Sequence, residues 1–209
     1  MDLDYWEKFY QHFDAPQQPS HFAQFCSRKY TEEMGVIFDV GCGNARDTLF
    51  FSSQSISCAG IDQCSFATEK NKIKVQDLGL KAEFFCADFS SFNYDNVASF
   101  HGYSIYSRFT LHAINYEEEK KFMDHLNSGV NLRYLFIEVR SVNDSLYGKG
   151  KKVGKHEFIT SHYRRFIDPE TLTCQLQENF EIEYFVESVG FAKTETEDPC
   201  LIRVIAKKR

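Results

Sequence analysis

Short apolar runs alternate with longer amphipathic ones along most of the chain. GVIFDV (35–40), ISCAGI (56–61), AEFFCA (82–87), YSIYSRF (103–109) and LRYLFIEVR (132–140) each read as a strand. Brief runs of β-branched and aromatic residues bounded by turn residues suit a strand buried on both faces. NARDTLFFSS (44–53) and NYEEEKKFMDHLNSG (115–129) read as helices, the second ending at Gly129. SFATEKNKIKVQDLGL (65–80) reads as another, with Phe66, Ile73, Val75 and Leu78 near helical spacing. Strands that alternate with helices predict an α/β protein with a parallel sheet covered on both faces.

Both ends depart from this alternation. The spacing predicts a first helix over Asp2 to Phe13, rich in Tyr5, Trp6, Phe9 and Tyr10. Pro16 and Pro19 then break the chain before a second helix, which starts at the N-cap residue Ser20 and runs toward Tyr30. At the other end, FEIEYFVES and CLIRVIAKK are joined without a crossover helix, which predicts an antiparallel hairpin. Ser141 to Phe166, with Gly148, Gly150 and Gly154, is too long for an ordinary connection and is expected to face the substrate. At roughly 150 residues per domain, 209 residues make one domain, with residues 1–33 as a helical lid and 141–166 as an insertion.

Charge narrows the partners. Thirty acidic against 24 basic residues give a net charge of -6, whereas a duplex-binding domain shows a strongly basic face, so nucleic acid is disfavoured. Uncharged apolar stretches span only a few residues, against about 20 for a membrane helix. The N-terminus lacks the basic and apolar regions of a secretory signal, so a cytoplasmic protein is expected. Seven cysteines, none spaced C-x-x-C, read as reduced apolar residues. His156, His162 and the scattered acids show no ligand spacing, so no metal is expected. The abundant aromatics suggest aromatic-lined surfaces as well as an aromatic core.

FDVGCGNARDT (38–48) carries the sharpest chemistry. A strand ends in Asp39 and passes through Gly41 and Gly43 into a helix. Glycines there let the backbone turn tightly and approach a ligand closely. A dinucleotide fingerprint needs a small residue at position 46, where Arg46 stands, so pyrophosphate binding is disfavoured. Asp62 closes the next strand, and 62 minus 43 places it 19 residues after Gly43, near the spacing of a ribose-binding carboxylate. The third strand ends in CADF, where Asp88 could bond an adenine amino group and Phe89 or Phe85 could flank the ring.

FDVGCGNARDT, GID, CADF and IYSRFTLHAI resemble the successive motifs of class I S-adenosylmethionine-dependent methyltransferases, over about residues 35 to 206. The resemblance implies a Rossmann-like, seven-stranded, mostly parallel sheet whose last strand is antiparallel. It also implies S-adenosylmethionine as cofactor, with Asp39, Gly41 and Gly43 at the methionine end, Asp62 at the ribose, and Asp88 with Phe89 at the adenine. Ala45 departs from the common G-x-G-x-G pattern. PQQPSHFAQF, GCGNARDTLFF, IYSRFTLHAI, IEVRSVNDSLYGKG and DPCLIRVIAKK further resemble small bacterial methyltransferases of surface-polysaccharide genes, including those associated with capsular O-methyl phosphoramidate.

Methyl transfer is an in-line displacement, helped by alignment and exclusion of water. A hydroxyl acceptor usually needs a base, whereas a phosphate, phosphoramidate or carboxylate oxygen already carries charge. Ser107, Arg108, Phe109 and His112 follow the fourth strand, where the fold implies the transferable methyl. His112 is a candidate base or a structural cap. Arg108 could fork onto an oxyanion or form a structural salt bridge. Glu138 and Arg140 point to the cleft or pair with each other. Arg140 and the insertion supply Lys149, Lys151, Lys152, Lys155, His156, His162, Arg164 and Arg165, either as a solvated cationic loop or as an oxyanion pocket. In an extended HYRRF, His162 and Arg164 would share one face, Tyr163 and Arg165 the other. The hydroxyls of Tyr5, Tyr10 and Ser20 are further candidates for substrate binding.

The combined expectation is an O-methyltransferase acting on a small anionic molecule, a phosphate or phosphoramidate of capsule or surface-glycan assembly. The alternatives are a neutral sugar hydroxyl, for which His112 or another base is indispensable, and a non-catalytic cofactor-binding protein. Asn-Pro-Pro-Tyr or Asp-Pro-Pro-Tyr, which marks amino-methylating enzymes after the fourth strand, is absent.

Overall fold

The computed structural model describes residues 3–13, 15–98 and 102–209. In chain order the elements are α1 (Leu3–His12), α2 (His21–Tyr30), β1 (Val36–Val40), α3 (Arg46–Ser53), β2 (Cys58–Asp62), α4 (Ser65–Asp77), β3 (Ala82–Cys86), α5 (Tyr94–Ala98) and β4 (Tyr103–Arg108). A short 3-10 turn (Leu111–Ala113) leads to α6 (Tyr116–Asn127) and β5 (Leu132–Arg140). Then come β6 (Lys151–Gly154), β7 (Glu157–Ile159), β8 (Tyr163–Arg165), α7 (Pro169–Gln177), β9 (Phe180–Ser188) and β10 (Leu201–Lys208). Asp2, the expected start of the first helix, lies outside the described residues.

Seven strands form one sheet in the order β3-β2-β1-β4-β5-β10-β9. The pairs among β1 to β5 are parallel, and β10 runs antiparallel to both β5 and β9. This is the expected Rossmann-like sheet with its reversed last strand. Alternation of side chains along each strand divides the core in two. Phe38, Val40, Ile105, Ile137, Val139, Ile202 and Val204 pack with α6 and α7, which contribute Phe122, Met123, Leu172 and Leu176. Ile37, Tyr106, Tyr134, Phe136 and Ile205 pack with Phe22, Cys26 and Tyr30 of α2 and Phe51 of α3.

Caps set several boundaries. Ser20 accepts from the Ala23 amide at 3.0 Å, and Asn115 with Glu118 closes a capping box on α6. α7, which the alternation of strands and helices does not mark, opens with Asp168 at its N-cap and Pro169 in its first turn, both helix-start signals. On α4 the expected apolar face is not the inner one: Phe66, Ile73 and Leu78 are exposed. Of the expected set only Val75 is buried, beside Ala67, Thr68 and Asn71. Asn71 explains the choice, because its amide donates to the Gly43 carbonyl at 2.7 Å, a polar task no apolar residue performs.

The long segment after β5 folds into a second, three-stranded antiparallel sheet, β6-β7-β8. Arg165 fastens it by donating to the Ile114 and Leu111 carbonyls and pairing with Glu119. All seven cysteines are free. Among the described residues no helix is long and apolar enough to cross a membrane, and no three metal-ligating side chains cluster.

Candidate functional site

A cleft of about 630 Å³ opens where β1 and β4 lie side by side and the strand order reverses. That is where open α/β sheets bind ligands, at the carboxyl ends of the strands. Asp39, Gly41, Cys42, Asn44 and Asp62 line one part of it. Gly41 has a φ of +67°, and a Cβ on it would lie 2.6 Å from the Thr110 hydroxyl, itself pinned to the Val40 carbonyl at 2.6 Å. Gly43 has a φ of +52°, and a Cβ there would meet the Tyr10 hydroxyl at 2.0 Å. Backbone geometry and a neighbour from distant sequence thus both demand glycine.

Two acids brace this turn. Asp62 accepts from the Gly43 amide through Oδ2 and from the Cys64 amide through Oδ1, each at 2.9 Å. Asp39 accepts from the Thr48 hydroxyl at 2.6 Å through Oδ2. Burial, with the charge of Asp47 adding to it, pushes the Asp39 carboxyl up to about 8. Burial also raises Asp62, against the backbone hydrogen bonds from Cys64, Gly43 and Gln63 that lower it.

α1 forms the roof. Tyr5, Trp6, Phe9 and Tyr10 line the cleft, whereas Phe13 is exposed. Tyr5 stacks on the His162 ring at 4.6 Å, and Trp6 meets the same ring edge-on at 5.7 Å. Glu7 ties the helix to α4, accepting from the Ser65 amide at 2.7 Å and the Phe66 amide at 3.4 Å, at the positive end of that helix. Ser20 lines the cleft, but its amide and hydroxyl both donate to Asp47 at 2.7 Å. Tyr106 donates to the same carboxylate at 2.8 Å, so Asp47 holds α2 against β4.

The opposite part of the cleft is cationic. Arg108, Phe109, His112, Arg140, His162 and Arg164 line it, joined by Arg46 and Lys193. Phe109 adopts a φ of 60°, turning the chain out of β4 beneath the Arg108 guanidinium, which lies 4.1 Å above its ring. Glu138 and Arg140 do not pair with each other. Glu138 binds Arg108 and Arg203, while Arg140 binds Asp144 at 3.0 Å and both Glu197 oxygens at 2.7 and 2.8 Å. His112 is buried, and its Nδ1 has no hydrogen-bond partner among the described residues. Burial, followed by the charges of Arg140 and Arg164, pushes its imidazole well below the ordinary value, so the ring is neutral.

The insertion divides its cations. Lys149, Lys151, Lys152 and Lys155 are exposed on the β6 hairpin. His162 and Arg164 line the cleft, while Tyr163 and Arg165 face the 3-10 turn, both donating to the Ile114 carbonyl. Asp88 and Phe89 fall outside the cleft lining. Phe89 is 2% exposed with its ring edge-on to Phe122, so it cannot flank a base. Asp88 turns to the Ser90 amide and Lys121. Both departures have one cause: the chain folds back after β3, sending the Phe89 ring into the core beside α6 and leaving Asp88 outside.

Arg46, Asp47, Thr110, Trp6 and the connection from Phe191 to Glu197 are cleft residues that the sequence reading passed over. Arg46 alone had a signal, as the cation directly after the glycine turn.

A family model described as thiopurine S-methyltransferase matches residues 1–165. Among solved structures, a Methanosarcina mazei S-adenosylmethionine-dependent methyltransferase is 22% identical with a TM-score of 0.72, covering 87% of this chain and 95% of that one. An enzyme structure from echinomycin biosynthesis, described as converting a disulfide bond into a thioacetal group, is 16% identical with a TM-score of 0.73, covering 100% and 93%. Magnesium protoporphyrin IX methyltransferase from Synechocystis, with S-adenosylmethionine bound, is 12% identical with a TM-score of 0.64, covering 100% and 92%. No curated protein matches.

Proposed function

The chain belongs to the thiopurine S-methyltransferase family, and from that premise we propose that it methylates a small anionic acceptor, forming an O-methyl phosphate or phosphoramidate of surface-glycan assembly. It is an S-adenosylmethionine-dependent methyltransferase. The glycine turn fits the cofactor: Gly41 and Gly43 hold the left-handed backbone that carries the chain tightly past the cleft, and Asp39 and Asp62 line the cleft beside it. Bound there, S-adenosylmethionine supplies an electrophilic methyl carbon on a sulfonium.

Asp62 keeps the turn in shape and retains lone pairs for ribose hydroxyls. Asp39, with Oδ1 outside its bond to Thr48, receives the ammonium at the methionine end. α1, tied down by Glu7, covers the cleft and excludes water, with Tyr5 and Tyr10 against the ligands.

One observation carries the acceptor's charge. Arg46, Arg108, Arg140 and Arg164 surround this end of the cleft, beside an imidazole, His112, that burial and the arginines make a weak base, and without a carboxylate poised as one. Glu197 is held by Arg140, and Asp47 by Ser20 and Tyr106. Such a site favours a nucleophile that arrives already charged, and guanidinium forks match oxyanions. The surface-glycan setting rests on the likeness of the five sequence segments. A thiolate is the second reading: it too needs no base, and the description of the family favours it.

The test is production of S-adenosylhomocysteine with sugar phosphates, a phosphoramidate, an aryl thiol and neutral sugars as acceptors. Turnover on the phosphorylated acceptors alone is expected, and turnover on the thiol alone selects the second reading. Turnover on neutral sugars that vanishes in His112→Ala overturns the anionic acceptor. Cofactor binding without turnover on any of these acceptors overturns the anionic acceptor.

A further inference from the structure

Two of the four cleft arginines meet at the Phe109 ring, Arg108 at 4.1 Å and Arg140 at 6.0 Å from its centroid. Arg108 is pinned by Glu138, and Arg140 by Asp144 and Glu197. The other two, Arg46 and Arg164, are both partly buried in the cleft lining. Among the described residues neither has a carboxylate partner, and Arg164 donates only to the Thr160 hydroxyl at 2.5 Å. A partly buried guanidinium beside another cation carries an electrostatic cost that an incoming anion removes. Burial and Arg108 both act against the charge of Arg46, and burial and Arg140 against that of Arg164.

The two sites are separate. Arg46 opens α3, directly after the cofactor turn, whereas Arg164 sits on β8 of the second sheet.

We propose that the acceptor carries two separate anionic groups, two phosphoryl groups or a phosphoryl and a carboxylate, one received by Arg46 and the other by Arg164. This rests on the anionic reading above and narrows it to a doubly anionic molecule long enough to span both arginines. The other source of an anion for Arg46 is the carboxylate at the methionine end of the cofactor, which the experiment separates.

The probes are methylphosphonate and alkane α,ω-bisphosphonates of increasing chain length, titrated into the protein saturated with S-adenosylhomocysteine. One chain length is expected to bind at least about tenfold tighter than methylphosphonate, through the effective concentration of the second group. Arg46→Gln and Arg164→Gln each erase that gain and keep methylphosphonate binding at the remaining arginine, with S-adenosylhomocysteine affinity unchanged. Arg46→Lys, which keeps the charge and loses the fork, retains part of the gain and stands in if the Gln variant misfolds. Equal binding at every chain length overturns the proposal. So does a loss of S-adenosylhomocysteine affinity in Arg46→Gln with the bisphosphonate preference intact, which assigns Arg46 to the cofactor. If methylphosphonate itself fails to bind, the anionic acceptor falls first and this inference with it.

Discussion

Arg108 donates its Nε to Glu138 Oε1 at 2.7 Å, and the other oxygen of that carboxylate accepts from Arg203 Nε at 2.6 Å. Glu138 is 1% exposed, so one buried anion serves two cations and a positive charge remains unbalanced beside the cleft. Arg108 is thereby held over Phe109, its guanidinium carbon 4.1 Å from the ring centroid.

Glu138→Gln removes the anion and leaves both guanidinium groups uncompensated. The expected loss is about 3–5 kcal/mol of stability, read from urea unfolding. Arg203→Met leaves the Arg108 pair in place and is expected to cost less. A Glu138→Gln midpoint equal to wild type would show that the network does not support the fold.

With the cofactor's ammonium beside Asp39, as proposed, pH is expected to act on both stability and cofactor binding. In the folded protein its carboxyl sits at about 8, against an ordinary 3.8, so between those values the folded state holds a proton that the unfolded state has released. Its contribution to stability therefore falls as pH rises across that window. Asp39→Asn is expected to stabilise the ligand-free protein at pH 8, measured by thermal unfolding. An ammonium beside Asp39 favours the ionised form, so wild-type binding of S-adenosylhomocysteine releases a proton and strengthens by up to about tenfold per pH unit below 8. Titration in two buffers of different ionisation enthalpy detects that proton. PH-independent affinity in the wild type would detach Asp39 from the ammonium.

His112 is neutral across the working range, so at saturating cofactor kcat is expected to show no ionisation of this ring between pH 6 and 8. With an anionic acceptor, His112→Asn keeps kcat within about tenfold, below the 10²–10⁴-fold contribution of a general base. A larger fall, together with loss of an acidic limb from the pH profile, would make it the base.

Gly43→Ala places a methyl group in a left-handed conformation, worth about 1–2 kcal/mol, and against the Tyr10 hydroxyl. It is expected to lower the melting temperature and weaken S-adenosylhomocysteine binding. Adding Tyr10→Ala relieves the collision but not the backbone strain, so the double variant should recover part of the stability. Strict additivity of the two changes would mean that α1 does not rest on the turn.

The sequence by itself determined the alternation of strands and helices, the reversed last strand, the glycine turn and the acids at the ends of β1 and β2. Those features follow from local sterics and from the partition of side chains between core and water, which act over a few residues and leave a period of two or of 3.6. Only the tertiary structure decided which face of α4 is buried, because Asn71 answers to the Gly43 carbonyl and not to its neighbours on the helix. It also decided which arginines are pinned. The partners of Glu138 lie 30 and 65 residues away, and Arg140 reaches 57 residues to Glu197. A charged side chain selects its partner by distance and burial in space, and spacing along the chain carries no record of either. Packing between segments far apart in sequence, equally unrecorded in spacing, takes Phe89 into the core and brings Tyr10 over Gly43 and Trp6 against His162.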